Sequence, residues 1–328
     1  MLPTLESALN DPEQTVRTAA VESLGNLKGA ALSILVQALE RDNELARSIF
    51  RALGNMGPDA APAVPAILRS PAAKLADSVI PAAWPALLNG MRDDNVVVRR
   101  NASRVVSSWA YGAAAASNTL ELNAPELVAI LKDGLKDTDD EVREHCMAGL
   151  NRLQVPPGQI LPELIEALVD SNKLVRIHAA SQFARWGSEA DTAAMPALLR
   201  SLEDAEPDVR GLAAYAVSRM GPAAPESLAR LRELMSDEVY FPRLQAAFAL
   251  VVLEPGNEYG LPLLVNALET DDDHAQYRAA SLLSELGPKA KNALPALRSM
   301  SKDHRKHVQN MAMDAIQKIE SSSGGVPN

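Results

Sequence analysis

The sequence predicts an all-α fold, an α-solenoid (a superhelix) of about nine to ten helical hairpins. Three observations point there. A unit of about 33 residues recurs along the chain. Within each unit the apolar and small residues lie on one face of a helix. Aromatic residues are few (Phe 4, Trp 3, Tyr 5 in 328) and no run alternates with period two, which argues against a β-sandwich or barrel.

The repeat is clearest in segment 161–187, LPELIEALVDSNKLVRIHAASQFARWG. With Val175 as position zero, equivalent positions fall at Val16, Leu45, Val98, Val142, Val209, Pro242, Ala275 and Val308. From Val142 onward the steps are 33, 34, 33, 33 and 33 residues. Each unit reads as two helices. In the second, apolar or small residues occupy 0, +4, +8 and +11, as in Val175, Ala179, Phe183 and Trp186. In the first, Leu recurs at −11 and −7 (Leu5/Leu9, Leu131/Leu135, Leu164/Leu168, Leu264/Leu268). Proline at −13 (Pro3, Pro85, Pro162, Pro196, Pro262, Pro295) suits a first helical turn, where its missing N–H costs nothing. Glycine at +12 (Gly57, Gly187, Gly221, Gly287) stops the second helix where a left-handed residue is wanted.

Taken in order, residues 1–110 form an N-terminal block whose third repeat is degenerate. Pro65 opens that repeat's first helix, and the next such proline, Pro85, follows 13 residues too early, so a shortened second helix is expected near 72–80. The step from Val98 to Val142 holds extra residues in YGAAAASNTLELN, 111–123, which reads as an insertion or hinge. Residues 124–320 make a regular C-terminal block, and the tail 321–328 reads as disordered. The chain starts inside a repeat, as a fragment would; neither end looks strongly polar, so end-to-end association is open to it.

Two polar positions also recur. Asp stands at −5 (Asp11, Asp93, Asp137, Asp170, Asp204, Asp237) and Arg at +1 (Arg17, Arg99, Arg143, Arg176, Arg210, Arg243). The carboxylate sits in the turn between helices and the guanidinium opens the second helix. Bidentate pairing between them would run a structural ladder through the stacked turns.

A paired-helix unit of this length, with Asp in the turn, Val-Arg opening the second helix and Gly-Pro between units (Gly57-Pro58, Gly221-Pro222, Gly287-Pro288), resembles a HEAT repeat. The alanine-rich style of DAEPDVRGLAAYAVSRMGPAA resembles the bacterial HEAT-like subfamily that includes the phycobilin lyases. The resemblance covers roughly residues 2–320. It implies a right-handed superhelix with the second helices lining a concave face.

Composition narrows the function. A net charge of −10 opposes nucleic-acid binding, and no apolar run is long enough to span a bilayer. No secretory signal is visible, so a cytoplasmic location is expected. The single cysteine, Cys146, excludes a disulfide framework and falls at the apolar +4 position of a core residue. Of the histidines (His145, His178, His274, His304, His307), His145 and His178 lie about one repeat apart, too far to share a metal, His304 and His307 share a helix face but are crowded by Lys302, Arg305 and Lys306, and none precedes Glu, as the iron ligands of HEAT-type deoxyhypusine hydroxylases would. HEAT-like DNA glycosylases need a basic groove with aromatic contacts, which this chain lacks. The acidic clusters at 139–141 and 271–273 read as helix caps rather than calcium loops. Trp109 and Trp186 read as core; Trp84 reads as an exposed anchor. No catalytic residue, metal or cofactor is expected.

The expected activity is that of a non-enzymatic scaffold or adaptor that presents a concave helical surface to another protein. Arg152, Arg185 and Arg219 recur at +10, and Arg47/Arg51 and Arg100/Arg104 at +2/+6. On a net-acidic chain this stripe would receive an acidic segment of the partner, although arginine near a helix C-terminus is also favoured by the dipole alone. The alternatives are a phycobilin-lyase-like protein, whose tetrapyrrole propionates would pair with the same arginines, and a docking or sensor part of a larger enzyme.

Overall fold

The computed structural model describes residues 1–70, 84–115, 124–190, 192–221, 225–254 and 256–321. Among these the chain is wholly helical and forms an all-α solenoid. It divides into two compact units, Met1–Val155 and Pro156–Asn328.

In the first unit the hairpins are α1 (Leu2–Ala8) with α2 (Gln14–Gly25), and α3 (Leu32–Arg41) with α4 (Ala46–Met56). Then come α5 (Val64–Arg69), α6 (Trp84–Gly90) with α7 (Val96–Ala115), and α8 (Ala124–Gly134) with α9 (Asp140–Arg152). The shortened helix expected near 72–80 lies outside the described residues. The second unit is five hairpins in succession. These are α10 (Pro157–Ala167) with α11 (Lys173–Trp186), α12 (Met195–Ser201) with α13 (Pro207–Arg219), and α14 (Pro225–Leu234) with α15 (Tyr240–Leu253). The last two are α16 (Gly260–Ala267) with α17 (Asp273–Leu286), and α18 (Leu294–Met300) with α19 (Lys306–Ser321).

The repeat's recurring letters explain these boundaries. Proline sits in the first turn of α5, α12 and α18, where no backbone donor is lost. Gly187 and Gly287 end α11 and α17 with φ of 54° and 55°. Their ψ values, −125° and −128°, differ from those of the left-handed helix the sequence suggested. Glycine tolerates this conformation because it has no Cβ, and it redirects the chain into a 3-10 turn that leads toward the next first helix.

Burial follows the stripe. Val175, Ala179 and Phe183 in α11 are at most 1% exposed, and in the second unit a continuous core joins Leu244, Phe248, Leu264, Leu283, Leu297 and Ile319. Within each unit the second helices pack along one another: α2 on α4 and α7 on α9, then α11, α13, α15, α17 and α19 in series. The first helices meet one another far less, so the second helices are the inner layer of each unit. Small residues let the inner helices approach. A Cβ on Gly25 would stand 2.9 Å from the Cβ of Ala52, and one on Gly149 would stand 3.5 Å from the Cα of Ser107.

The expected insertion differs from what is observed. Residues 111–115 continue α7, which reaches 20 residues, because an alanine-rich run prolongs a helix readily. Residues 116–123 lie outside the described residues. The division between compact units falls after Val155. The α8/α9 hairpin belongs with the first unit because α9 packs on α7. Gln154, with a positive φ of 53°, and the Pro156-Pro157 pair interrupt the helices at that boundary. The tail after residue 321 lies outside the described residues.

Candidate functional site

The turns between paired helices are built alike. Each ladder carboxylate accepts from the backbone N–H two residues on, as Asp137 does from Asp139 (2.9 Å) and Asp204 from Glu206 (2.9 Å). The ladder arginines bond first to their own turn. One guanidinium nitrogen donates to the backbone carbonyl of its own turn's Asp: Arg99 to Asp93, Arg143 to Asp137, Arg176 to Asp170, Arg210 to Asp204 and Arg243 to Asp237. In Arg99, Arg176 and Arg210 the remaining edge reaches the carboxylate of the next turn. Arg99 pairs bidentately with Asp137 (2.7 and 3.1 Å), Arg176 with Asp204 (2.7 and 2.9 Å) and Arg210 with Asp237 (2.7 and 2.9 Å). Burial pushes Asp137 and Asp237 upward, but the Arg99 and Arg210 guanidiniums outweigh it and hold both carboxyls below their ordinary value.

Three members of this ladder, Asp42, Gln276 and Gln309, escape the sequence pattern. Arg17 donates to the Asp11 carbonyl and pairs forward with Asp42 (3.2 Å) and Glu44 (3.0 Å), in a turn two residues shorter than the rest. In the last two hairpins Gln276 and Gln309 stand where arginine is expected. Their amides donate to the turn carbonyls of Thr270 (2.7 Å) and Asp303 (2.6 Å). The recurrence of +1 marks both glutamines, had a neutral donor been admitted there.

The arginine stripe is not an open row of cations. Arg100 is bound bidentately by Asp139 (2.9 and 2.6 Å) and lies 3.4 Å from Glu141. Arg152 donates to the carbonyl (2.9 Å) and hydroxyl (2.7 Å) of Ser107. Arg219 pairs with Glu285 (3.1 Å) and lies over the ring of Tyr215 (5.8 Å). Arg104 and Arg185 have partners as well. Side chains at +2 and +10 reach across to a neighbouring helix, which helical periodicity alone does not reveal. Arg47 and Arg51 on α4 differ: both are exposed and pair with no carboxylate among the described residues.

Tyr215, Arg219 and Glu285 form a clasp. The Tyr215 hydroxyl donates to Glu285 (2.6 Å to one oxygen), joining α13 to α17 across α15. The bridged helix is buried on every side from Leu244 to Leu250, and Tyr215 packs on Phe248 at 5.5 Å between ring centroids. Burial, reinforced by Glu285, raises the Tyr215 hydroxyl above its ordinary value.

The Nδ1 of His145 lies 3.1 Å from the Ser103 hydroxyl, and burial lowers its pKa despite Glu144. Cys146 is buried, and burial raises its thiol. A Cβ on Gly134 would overlap its sulfur at 2.3 Å. His304 lies beside Asp303 (3.3 Å) and His307 beside Asp273 (3.6 Å). Among the described residues no group of three or more His, Cys, Asp or Glu could hold a metal ion, and no helix is long and apolar enough to cross a membrane. Asp139 and Asp272 cap α9 and α17 through backbone N–H groups. Trp186 is buried against Phe183; the side chains of Trp84 and Trp109 lie outside the described residues. Open crevices of about 310, 300 and 210 Å³ recur beside the ladder, each spanning two successive turns or their flanking helices.

No match appears among curated proteins. In fold the chain is similar to the karyopherin Kap121p, solved bound to the extreme C-terminus of the protein phosphatase Cdc14p. The TM-score is 0.61 at 15% identity, over 98% of this chain and 42% of that one. It is also similar to an engineered protein at 19% identity, with a TM-score of 0.49 over 97% of this chain and 98% of that one. A family model for HEAT repeats matches residues 2–103 and 161–251, more than half of the sequence. With its paired helices, turn ladder and matched repeats, the chain belongs to the HEAT-repeat family.

Proposed function

We propose that this chain is a non-enzymatic scaffold that binds a protein partner through its inner-layer helices, and that the partner offers an acidic segment to Arg47 and Arg51. The observation that carries the reading is the contrast among the arginines. Arg100, Arg152 and Arg219 are held by the protein's own side chains, whereas Arg47 and Arg51 stand exposed one helical turn apart on α4. A pair that meets no carboxylate among the described residues, on an acidic protein, favours a carboxylate-rich ligand and repels basic ones. The repeated open crevices suit an extended polypeptide better than an enclosed small molecule. The karyopherin of similar fold is itself solved with a protein segment bound, which supports the same class of activity. The phycobilin-lyase style of the repeats bears on lineage. A tetrapyrrole carrier draws less support, since most arginines that would meet its propionates are already engaged.

Fluorescence anisotropy with a labelled glutamate-rich peptide tests the proposal. The double variant Arg47→Glu/Arg51→Glu is expected to bind at least about tenfold more weakly, equivalent to roughly 1.4 kcal/mol. Equal affinity of the variant, or no binding by the unaltered chain, would remove the acidic-segment assignment.

A further inference from the structure

In the inner layer of the second unit several arginines are already engaged: Arg176 and Arg210 on the ladder, and Arg219 on Glu285. Arg278 on α17 differs. It stands at +3, off the +2, +6 and +10 positions of the arginine stripe. Its guanidinium lies over the ring of Phe241 on α15, 4.6 Å from the centroid. That ring is wedged in turn against Gly211 on α13, where a Cβ would stand 2.4 Å from a ring carbon. Three inner helices thus fix where the cation sits. Among the described residues Arg278 meets no carboxylate. The carboxylates on its own helix serve other groups: Asp273 pairs with Arg305, and Glu285 holds Tyr215 and Arg219. A cation over a ring face makes no hydrogen bond there, so the N–H donors of Arg278 remain for a carboxylate, which a guanidinium takes bidentately.

The adjacent residue supplies the other half of a site. Tyr277 is 64% exposed and lines a crevice of about 380 Å³ between α17 and α19. Ala280 and Ala315, both buried, lie along it and leave it deep, and Met311 adds a thioether that adapts to an incoming ring. Arg278 lies on the α15 flank of α17 and Tyr277 on the α19 flank. The two flanks of a packed helix are about 10 Å apart, a distance that three residues of extended chain span.

We propose that the exposed edge of α17 takes an extended segment of a partner protein that carries an aspartate or glutamate and, three residues away, an aromatic residue. The carboxylate pairs with Arg278, and the ring enters the crevice beside Tyr277 and Met311. Phe241 is a positioning residue, holding the guanidinium that lies over it. The inference rests on the scaffold reading but not on Arg47 and Arg51, which belong to the other unit.

An NMR titration of the full chain, observed at the signals of the peptide Gly-Ser-Glu-Gly-Ser-Phe-Ser-Gly, tests this, with circular dichroism to check folding. The unaltered chain should bind with a Kd of about 0.5 mM or tighter. Arg278→Gln should weaken binding about tenfold, and so should glutamine in place of the peptide's glutamate. Made together, the two changes should cost no more than either alone, because they remove the same pair. Tyr277→Ala, at an exposed position, should weaken the phenylalanine peptide about threefold and leave a serine-substituted peptide unchanged. Arg47→Glu/Arg51→Glu should bind this peptide as the unaltered chain does, so a failure at α4 and a failure at α17 are read separately. No binding by the unaltered chain would overturn the proposal. So would losses that simply multiply in either pairing, or a loss in Arg47→Glu/Arg51→Glu in place of one in Arg278→Gln.

Discussion

In the first unit α7 and α9 meet through polar rungs: Arg100 with Asp139, Ser103 with His145, and Ser107 with Arg152. In the second unit α13 and α15 pack side by side with Tyr215 on Phe248 and Gly211 under Phe241, and Ala214, Ala216, Ala247 and Ala249 of the two helices are fully buried. The polar seam fixes the register of two helices by directed bonds. The alanine seam draws backbones together, gains from close packing, and brings Tyr215 within reach of Glu285 across α15. One repeat thus supports two ways of holding neighbours, and the two respond differently to substitution.

Truncation gives the largest test of that difference. Phe248→Ala in the second unit should cost about 3–5 kcal/mol in denaturant unfolding, because an enclosed ring leaves a cavity. Ser103→Ala in the first should cost about 1 kcal/mol, the worth of one hydrogen bond. Equal losses would show that the polar rungs carry as much stability as the core.

Acid tests the Asp139 rung of the polar seam next. The Arg100 hydrogen bond holds the Asp139 carboxyl below its ordinary value, helped by the N–H groups of Val142 and Glu141. A carboxyl lowered on folding stabilises the fold at pH above its unfolded value, about 3.9, and that contribution is lost as pH falls through the lower folded value. Asp139→Ala should cost about 1 kcal/mol at neutral pH through the lost cap of α9 and should flatten the acid dependence below pH 4. Hydrogen exchange should place the change in α7 and α9, leaving α13 and α15 unaffected. The smallest expected effect is that of Tyr215→Phe, about 0.5–1 kcal/mol for one part-exposed hydrogen bond, with protection reduced in α13 and α17 together.

Much of this architecture is legible in the letters. The 33-residue register marks both helices of nearly every hairpin, and the glycines that end α11 and α17 stand where the repeat puts them. What local pattern misses is reach. Arg219 looks like a helix-terminal cation until Glu285, 66 residues away, closes on it. Asp42 is missed because its turn is two residues short, and Gln309 because an amide does the backbone-facing part of an arginine's work. Residues 111–115 read as loop because the repeat register breaks there, although their alanines favour helix.

The clasp over α15 also bears on how the second unit comes apart. A stack in which each layer touches only the adjacent one can lose its layers singly, from the ends inward. A tie between layers two apart makes the one enclosed between them costly to release alone, so α13, α15 and α17 should melt as a block while α18 and α19 fray first.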